Sequence, residues 1–490
     1  MRTTQWWIAV FGLIGSLWVP AHVGAQATNA TAFDVPLQRA AMHQQTRGDI
    51  DTYADTVNAY RIDGAINATN RTWSAQQSLF YINTSAETLD ELPLRLFANL
   101  PDLGGRTDLS NVQVDGEAVE FRLLNADYIA MVTLPRPLAP GERLTLSCDF
   151  VTQIPWNVGR TLYGAFNHDG QSMALASAYP MVAEYGPAGW EIDIPDTKGD
   201  LVNSPMAFYD VTVTVPQPYR LASTGTAIAT TRLAYATQYR VVSGLQRDFM
   251  AVISQLGAIS QTVDGTIITV YYPLGRYTDG QRALKYTHQS LQLYNRIFGQ
   301  YPYNELDIVA VDASSFYGVE YPGLILMQDR LFDTAWKLES IIAHEVAHQW
   351  FYNVVGNDVQ LHPWVDESLA SYAQILYREQ VWSKPAAMVE RNTFVRQYAK
   401  LVERGVDGPI DRPMWEFNLY TYNVIAYAKG ALYIDALRTR VGDDAFARGL
   451  RSYYQEHRYQ RVGGGALRES MAQACGCELQ SLYQTWVLQP

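Results

Sequence analysis

The sequence predicts an α+β, multidomain fold: an N-terminal antiparallel β-sandwich or saddle, followed by an α+β domain that ends in short helices. Three observations predict it. At 490 residues the chain is too long for one core and suggests two or three domains. From about Ile50 to Gly257 it runs in short β-rich stretches broken by Gly, Pro, Asn and Asp, the spacing of antiparallel sheets. After Asp366 most of the apolar residues recur at helical spacing. An apolar content of 48%, with 12% aromatic, is enough to bury a sizeable core and argues against disorder.

The elements follow in order. Met1-Arg2, the apolar run Trp6 to Val19 and the small residues around Ala25 have the layout of a secretory signal over residues 1–25. That run is short of the roughly 20 residues a helix needs to span a bilayer; an uncleaved membrane anchor is the alternative to export. Residues 26–48 are rich in Ala, Thr and Gln and read as a tail or linker. The β-rich domain, 49–258, contains the strand-like runs Ser78 to Ile82, Asn111 to Val114, Glu142 to Leu146, Phe208 to Val215 and Gln238 to Val242. In the second domain, 259–435, Gly265 to Tyr272 reads as a strand and Asp279 to Phe298 as an amphipathic helix. Leu306 to Val311 and Leu324 to Met327 are strands flanking a Gly-rich loop. Val424 to Val441, Asp444 to Tyr459 and Ala466 to Cys475 are helical in pattern, and 436–490 forms a short C-terminal helical segment. Internal repeats are not evident.

The net charge of -12 gives no footprint for nucleic acid or an anionic membrane surface. Three cysteines, Cys148, Cys475 and Cys477, are too few for a disulfide framework. Cys148 alternates as a buried strand residue, and Cys475-Gly476-Cys477 is too isolated for a metal site. Asn29, Asn67, Asn70 and Asn83 stand in glycosylation sequons, which matter only in a host that glycosylates.

The chemistry concentrates in Ile341 to Tyr372. His344-Glu345-x-x-His348 on a helix from Leu338 to about Val354 puts two imidazoles on one face. Glu345 lies about 100° round the helix, within reach of what the histidines hold but angled away from ligating it. A chance match is expected on the order of 0.01 times in a chain of this composition. The flanks Ile341, Ile342, Ala343, Val346, Ala347 and Trp350 are apolar, so the helix is buried, and buried histidines need partners. Glu367, at the start of a second helix, is the candidate third ligand. Two histidines, a carboxylate and an open fourth position make the donor set of a catalytic zinc rather than a structural one. Asp366 reads as a supporting or N-capping residue; Asp358, His362 and His288 carry no such argument and read as structural or solvated.

These residues, with Trp364-Val365-Asp366-Glu367, resemble the gluzincin aminopeptidases, the group of aminopeptidase N and leukotriene A hydrolase. Tyr317-Gly318-Val319-Glu320-Tyr321-Pro322-Gly323 is similar to that family's Gly-x-Met-Glu exopeptidase loop, with Tyr317 and Val319 where Gly and Met are frequent. Tyr427-Ala428-Lys429-Gly430 is similar to its Tyr-x-Lys-Gly segment. Ala178-Tyr179-Pro180-Met181 lacks its frequent Pro-Cys-x-Asp run. The resemblance implies a thermolysin-like catalytic domain holding one Zn2+ per chain through His344, His348 and Glu367. It further implies Glu345 as general base, Tyr427 as transition-state donor with Tyr422 as its rival, and Glu320, Gly318 and Tyr317 as substrate-binding residues. The substrates implied are peptides with a free N-terminus. With only 60 residues after Gly430, the chain looks like a short form lacking the large C-terminal helical domain of bigger relatives, which leaves a more open site. The alternatives are a zinc endopeptidase, a non-peptide (epoxide-type) hydrolase on the same scaffold, or a surface binding protein with a silent metal site.

Overall fold

The computed structural model describes residues 33–156 and 166–490. The expected signal segment, the first part of the expected tail and the sequon Asn29 lie outside them. An eight-stranded sheet dominates the first half, in the order Thr226–Arg232, Ala236–Val242, Ala207–Pro216, Asn58–Asn67, Thr72–Ile82, Arg143–Gln153, Arg106–Val114, Glu117–Ala118. Strand Thr72–Ile82 shows why these runs form strands. Trp73, Ala75, Gln77, Leu79 and Tyr81 are buried while the residues between them face outward, the two-residue alternation of a sheet with one covered face. Four of the five predicted runs lie inside strands and the fifth, Glu142 to Leu146, begins one residue before its strand; Cys148 is buried in Arg143–Gln153. The expectation of a purely antiparallel domain needs correction at its centre. Asn58–Asn67 and Ala207–Pro216 pair in parallel, which requires a long crossover; residues 68–206 provide it.

Two four-stranded sheets and a two-stranded one complete this half, and a buried polar cluster ties the sheet holding Ser172–Ala176 and Met250–Ser254 to the large sheet. Asp248 accepts hydrogen bonds from Ser177 Oγ at 2.5 Å and from Tyr179 OH at 2.9 Å, and Tyr209 OH lies 2.9 Å from the Tyr179 oxygen. The described part of the expected tail is not a linker. Val35–Gln38 is a helical turn, and Gln38, Ala41 and Met42 are buried. Gln38 Oε1 accepts from Ser243 N at 3.2 Å, and His43 N donates to Pro302 O at 2.8 Å. Apolar side chains too sparse to form a periodic pattern thus plug the junction between the two halves.

The second half is built on a five-stranded sheet, in the order Gly257–Val263, Thr266–Tyr272, Glu305–Val311, Leu324–Gln328, Gly318–Val319. Helix Tyr277–Ile297 is the crossover between the parallel strands Thr266–Tyr272 and Glu305–Val311. Its buried stripe of Ala283, Leu284, Tyr286, Leu291, Leu293 and Tyr294 is the face the periodicity marked. The two-residue strand Gly318–Val319 forms the sheet edge, so Glu320 follows directly on an edge strand. Helices Ala335–His348 and Trp364–Tyr377 pack beside it. Helices Gly430–Val441, Asp443–His457 and Ala466–Cys475 follow, and the helical turns Gln480–Tyr483 and Gln484–Leu488 come last. Cys475 and Cys477 are joined in a disulfide. Asn83 is fully buried, its amide donating to Glu87 O and Leu138 O, so that sequon is inaccessible in the folded chain. Among the described residues no helix is long and apolar enough to cross a membrane.

Candidate active site

Helix Ala335–His348 stops at its second histidine, six residues before the expected end at Val354. The chain folds back there because the His348 Nδ1–H donates to Phe351 O at 3.0 Å and Asn353 N to His348 O at 3.0 Å. That bond leaves Nε2 as the free lone pair. His344 is oriented in the same way, with Nδ1 3.3 Å from Gln374 Oε1. The second helix is locked to the first by buried Glu339, which accepts from Arg378 Nη1 at 2.5 Å, Tyr377 OH at 2.9 Å and Trp382 Nε1 at 3.0 Å. Tyr294, from the crossover helix, donates to Ala343 O at 2.8 Å and lies 3.1 Å from Ala373 O, so one phenol bridges both helices next to His344 and Gln374.

This packing brings three donor atoms to one point. His344 Nε2 and His348 Nε2 are 3.1 Å apart, and Glu367 Oε2 lies 3.2 Å from the first and 3.3 Å from the second. Tetrahedral zinc with bonds of about 2.0–2.1 Å requires donors about 3.3–3.4 Å apart. The residues therefore fit the metal in donor type, count and spacing. All three are buried. Electrostatics agree. Burial opposes the charge on Glu367, but hydrogen bonds from His344 and His348 outweigh it and lower its carboxyl to about 2. Burial likewise disfavours a proton on His344, whereas on His348 the Glu320 and Glu367 carboxylates overcome burial and raise the imidazole well above its usual range. A metal arriving here displaces a proton.

Glu345 is buried on the same helix, and Oε2 has no hydrogen-bond partner. Burial pushes its carboxyl up to about 8, which makes it a strong base when ionised. The edge strand runs against it: a β-carbon at Gly318 would collide with the Glu345 carboxyl, so only glycine allows this approach. Glu320, two residues on, is buried with Oε1 3.5 Å from His348 Nδ1 and otherwise without a hydrogen-bond partner. Burial, and then the nearby Asp200 carboxylate, drive its carboxyl well up. Tyr317 is turned outward, 49% exposed, with the Lys337 ammonium 3.4 Å above its ring.

The other oxygen of Glu367 faces two phenols. Tyr422 OH is 3.3 Å from Oε1 and Tyr427 OH makes a shorter bond to the same atom. Tyr422 is buried at 3% exposure, whereas Tyr427 is only half-buried and lies parallel to the His344 ring at 5.8 Å. Of the two, Tyr427 has a path to an incoming molecule. Burial, reinforced by Glu367, keeps its phenol protonated and able to donate. Tyr427 sits in a wide turn, Asn423–Lys429, pressed onto helix Trp364–Tyr377 by Ser368 Oγ donating to Ala426 O at 3.0 Å. A β-carbon at Gly430 would strike that same Ser368. Lys429 is buried, donating to Asp407 Oδ1 at 3.1 Å and Gly408 O at 2.8 Å.

Asp366 does not cap its helix, whose N-cap position is Pro363. It is buried three residues in and accepts from Glu367 N at 2.9 Å and Asn357 Nδ2 at 3.2 Å, bracing the ligand's own backbone. His362 pairs with Asp411 at 2.6 Å, and Asp358 closes a turn through Gln360 N and Leu361 N. The sequence reasoning missed Asp200, a β-domain carboxylate whose oxygen lies within 4.8 Å of those of Glu320 and Glu367. No local pattern marks it. It also missed Gln374, which the seven-residue step from Glu367 on one helix face could have revealed.

A buried His-Glu-x-x-His helix and a glutamate from the next helix form the donor set of a catalytic zinc site, with a further glutamate on the neighbouring sheet edge. Residues 282–486 match the peptidase family M1 domain. Aminopeptidase M1-B of Oryza sativa subsp. japonica is 28% identical over 243 residues, 46% of this chain and 27% of its own length. Aminopeptidase N of Lactococcus lactis subsp. lactis is 32% identical over 157 residues, 31% of this chain and 18% of its own. The chain thus matches about a quarter or less of the length of these relatives. In fold it is similar to the M1 zinc metallopeptidase of Deinococcus radiodurans, with a TM-score of 0.66 at 21% identity, over 88% of this chain and 94% of that one. One structure of the Deinococcus protein is of a mutant bound to a Tyr-Ser-Ala substrate.

Proposed function

We propose that the protein is a zinc-dependent aminopeptidase that hydrolyses the first peptide bond of peptides with a free N-terminus. The observation that carries it is the convergence of His344 Nε2, His348 Nε2 and Glu367 Oε2 within 3.3 Å of one another, with Glu345 and Glu320 buried beside them. Zinc held there supplies a Lewis acid and lowers the pKa of a bound water to about 7. Glu345 takes the proton from the attacking water and passes it to the leaving amine. Its burial and its unpartnered Oε2 support this, because no protein donor competes for that oxygen. Tyr427 donates to the oxyanion as charge develops on the carbonyl oxygen. Glu320 pairs with the substrate α-ammonium and so fixes which bond meets the metal; Asp200, close to it, adds to the negative field. The named activities of the relatives and the peptide bound by the Deinococcus protein support the same substrate class.

The test is hydrolysis of fluorogenic aminoacyl amides, each with an N-acetylated counterpart, with zinc content measured on the same sample. Turnover of the free-amine set alone, lost to a chelator and restored by zinc, is the expected result. Turnover of the blocked set would make the protein an endopeptidase. None at all despite bound zinc would leave a non-peptide hydrolase or a binding protein. We also propose export, on the basic, apolar and small-residue layout of residues 1–25; N-terminal sequencing of the mature protein beginning at Met1 would refute cleavage.

A further inference from the structure

Gln349 follows the second histidine and is fully buried, and no step above uses it. Its amide faces the back of the Glu320 loop. Nε2 donates to Glu320 O at 3.3 Å and to Tyr321 O at 3.2 Å, and Oε1 accepts from Gly323 N at 2.9 Å and Asn353 Nδ2 at 3.4 Å. One side chain, rooted next to His348, thus holds two carbonyls and one N–H of residues 320–323. The edge strand stops at Val319; backbone bonds from Leu324 N to Tyr321 O and from Asp307 N to Gly323 O, both 3.0 Å, fasten the far end of the loop, and Gln349 holds its Glu320 end. On the opposite side Thr224 Oγ1, from the β-rich half, donates to Pro322 O at 2.6 Å. A group that donates twice and accepts is required at 349, and among side chains of this length only the Gln amide does both without charge.

We propose that Gln349 is a positioning residue that keeps Glu320 in register with the metal-ligating His348, and through that sets the preference for substrates bearing a free α-amine. The inference rests on the aminopeptidase reading above. Glu320 Oε1 lies 3.5 Å from His348 Nδ1, and a Glu320 carboxyl oxygen lies within 4.8 Å of one of Glu367, so the spacing between the ammonium anchor and the ligand set follows where the 320–323 backbone sits. Misplacement by about 1 Å at such a site costs on the order of 10²-fold in rate. Gln349 bonds the carbonyl of Glu320 itself, so its loss moves the anchor before it moves the ligands, which other bonds hold.

The experiment compares full-length, zinc-loaded wild type with Gln349→Met, which keeps the shape and removes every hydrogen bond. The readouts are kcat and KM on free and N-acetylated aminoacyl amides, calorimetric binding of L-leucinamide against N-acetyl-L-leucinamide, zinc content and Tm. Zinc stoichiometry should be retained. The free-to-blocked ratio of kcat/KM should fall roughly 10- to 100-fold, with a raised KM for the free amine and a matching loss of L-leucinamide affinity. Should Gln349→Met fail to fold, Gln349→Glu is read the same way, since it keeps the length and the acceptor for Gly323 N but loses donation to the two carbonyls. An unchanged ratio in a zinc-loaded variant, or equal losses on both substrates, overturns the proposal. Glu320→Ala run alongside separates the two levels. If it leaves the ratio unchanged, the aminopeptidase reading fails; if it collapses the ratio and the Gln349 variants do not, only the positioning role fails.

Discussion

Gly318→Ala adds one methyl group at the closest approach between the sheet edge and the helix that carries the base. The new β-carbon would sit 2.5 Å from Glu345 Cγ and Cδ, whereas carbon atoms in contact need about 3.5 Å. Either the Glu345 carboxyl or the strand Gly318–Val319 must therefore yield by about 1 Å. The backbone itself sets no penalty, because Gly318 is not among the positive-φ positions. Glu345 on a buried helix has little room to retreat, and the strand, if it moves, takes Glu320 with it. Each route displaces a group of the proposed machinery by an amount that costs on the order of 10²-fold in rate. Steady-state kinetics on free-amine aminoacyl amides should show kcat/KM reduced about 100-fold, with zinc content unchanged. The substrate pairs tell the routes apart: a moved base lowers kcat on any substrate turned over, while a moved strand worsens free-amine recognition. Wild-type kinetics in a zinc-loaded Gly318→Ala protein would refute the placement of Glu345 as the base against this strand.

Glu345→Gln should keep stoichiometric zinc and retain under roughly 1% of activity, general-base losses being 10²- to 10⁴-fold; near-normal turnover on the same substrates would remove it from the mechanism. Tyr427→Phe should lower kcat far more than it raises KM, since a donor to the oxyanion acts on the transition state, and an unchanged kcat would transfer the role to Tyr422. Asp248→Asn tests the β-rich half. Burial lifts the Asp248 carboxyl from 3.8 to about 6, so the folded state holds its proton where the unfolded chain has lost it. Its contribution is fully present below pH 4 and disappears as pH rises through about 6, by about 3 kcal/mol at 1.36 kcal/mol per pKa unit. Unfolding of wild type and variant compared from pH 4 to 7.5 should show Asp248→Asn gaining on wild type across that window; parallel curves would show that the carboxyl titrates normally.

Much of this architecture was legible because it is periodic or because it is chemical. The β-rich run Ser78 to Ile82 marked the second half of strand Thr72–Ile82, and the spacing of Ala283, Leu284 and Leu291 marked the crossover helix. His344, Glu345 and His348 were legible because helical geometry alone puts i and i+4 together. Contacts between distant segments were not. The helix end at His348 depends on a carbonyl three residues on, and the burial of Gln38 and Met42 depends on Ser243 and Pro302. The parallel pairing of Asn58–Asn67 depends on where a strand almost 150 residues later returns. Asp200 is the clearest case at the site, since no spacing relates it to Glu320 and only the fold of the β-rich half delivers it there.

That delivery bears on what the β-rich half is for. Arg247, buried at 4% exposure, donates through Nε to Tyr352 O and Asn353 O at 2.9 Å, through Nη1 to Ser204 O at 3.0 Å, and through Nη2 to Gln460 O at 2.6 Å. Its guanidinium therefore joins three places: the fold-back that orients His348, the loop that carries Asp200, and the last helical segment. A β-carbon at Gly356 would strike it, so the chain after the fold-back is shaped around this one side chain. Burial lowers the guanidinium to about 10, which leaves it charged at neutral pH, and four carbonyl oxygens without a formal negative charge share that charge. Arg247 shares this task with the second half, where Tyr459 N donates to Val354 O at 2.7 Å and Gly356 N to Gln460 O at 2.9 Å. The β-rich half thus supplies an acid beside Glu320 and a brace on the fold-back that follows His348.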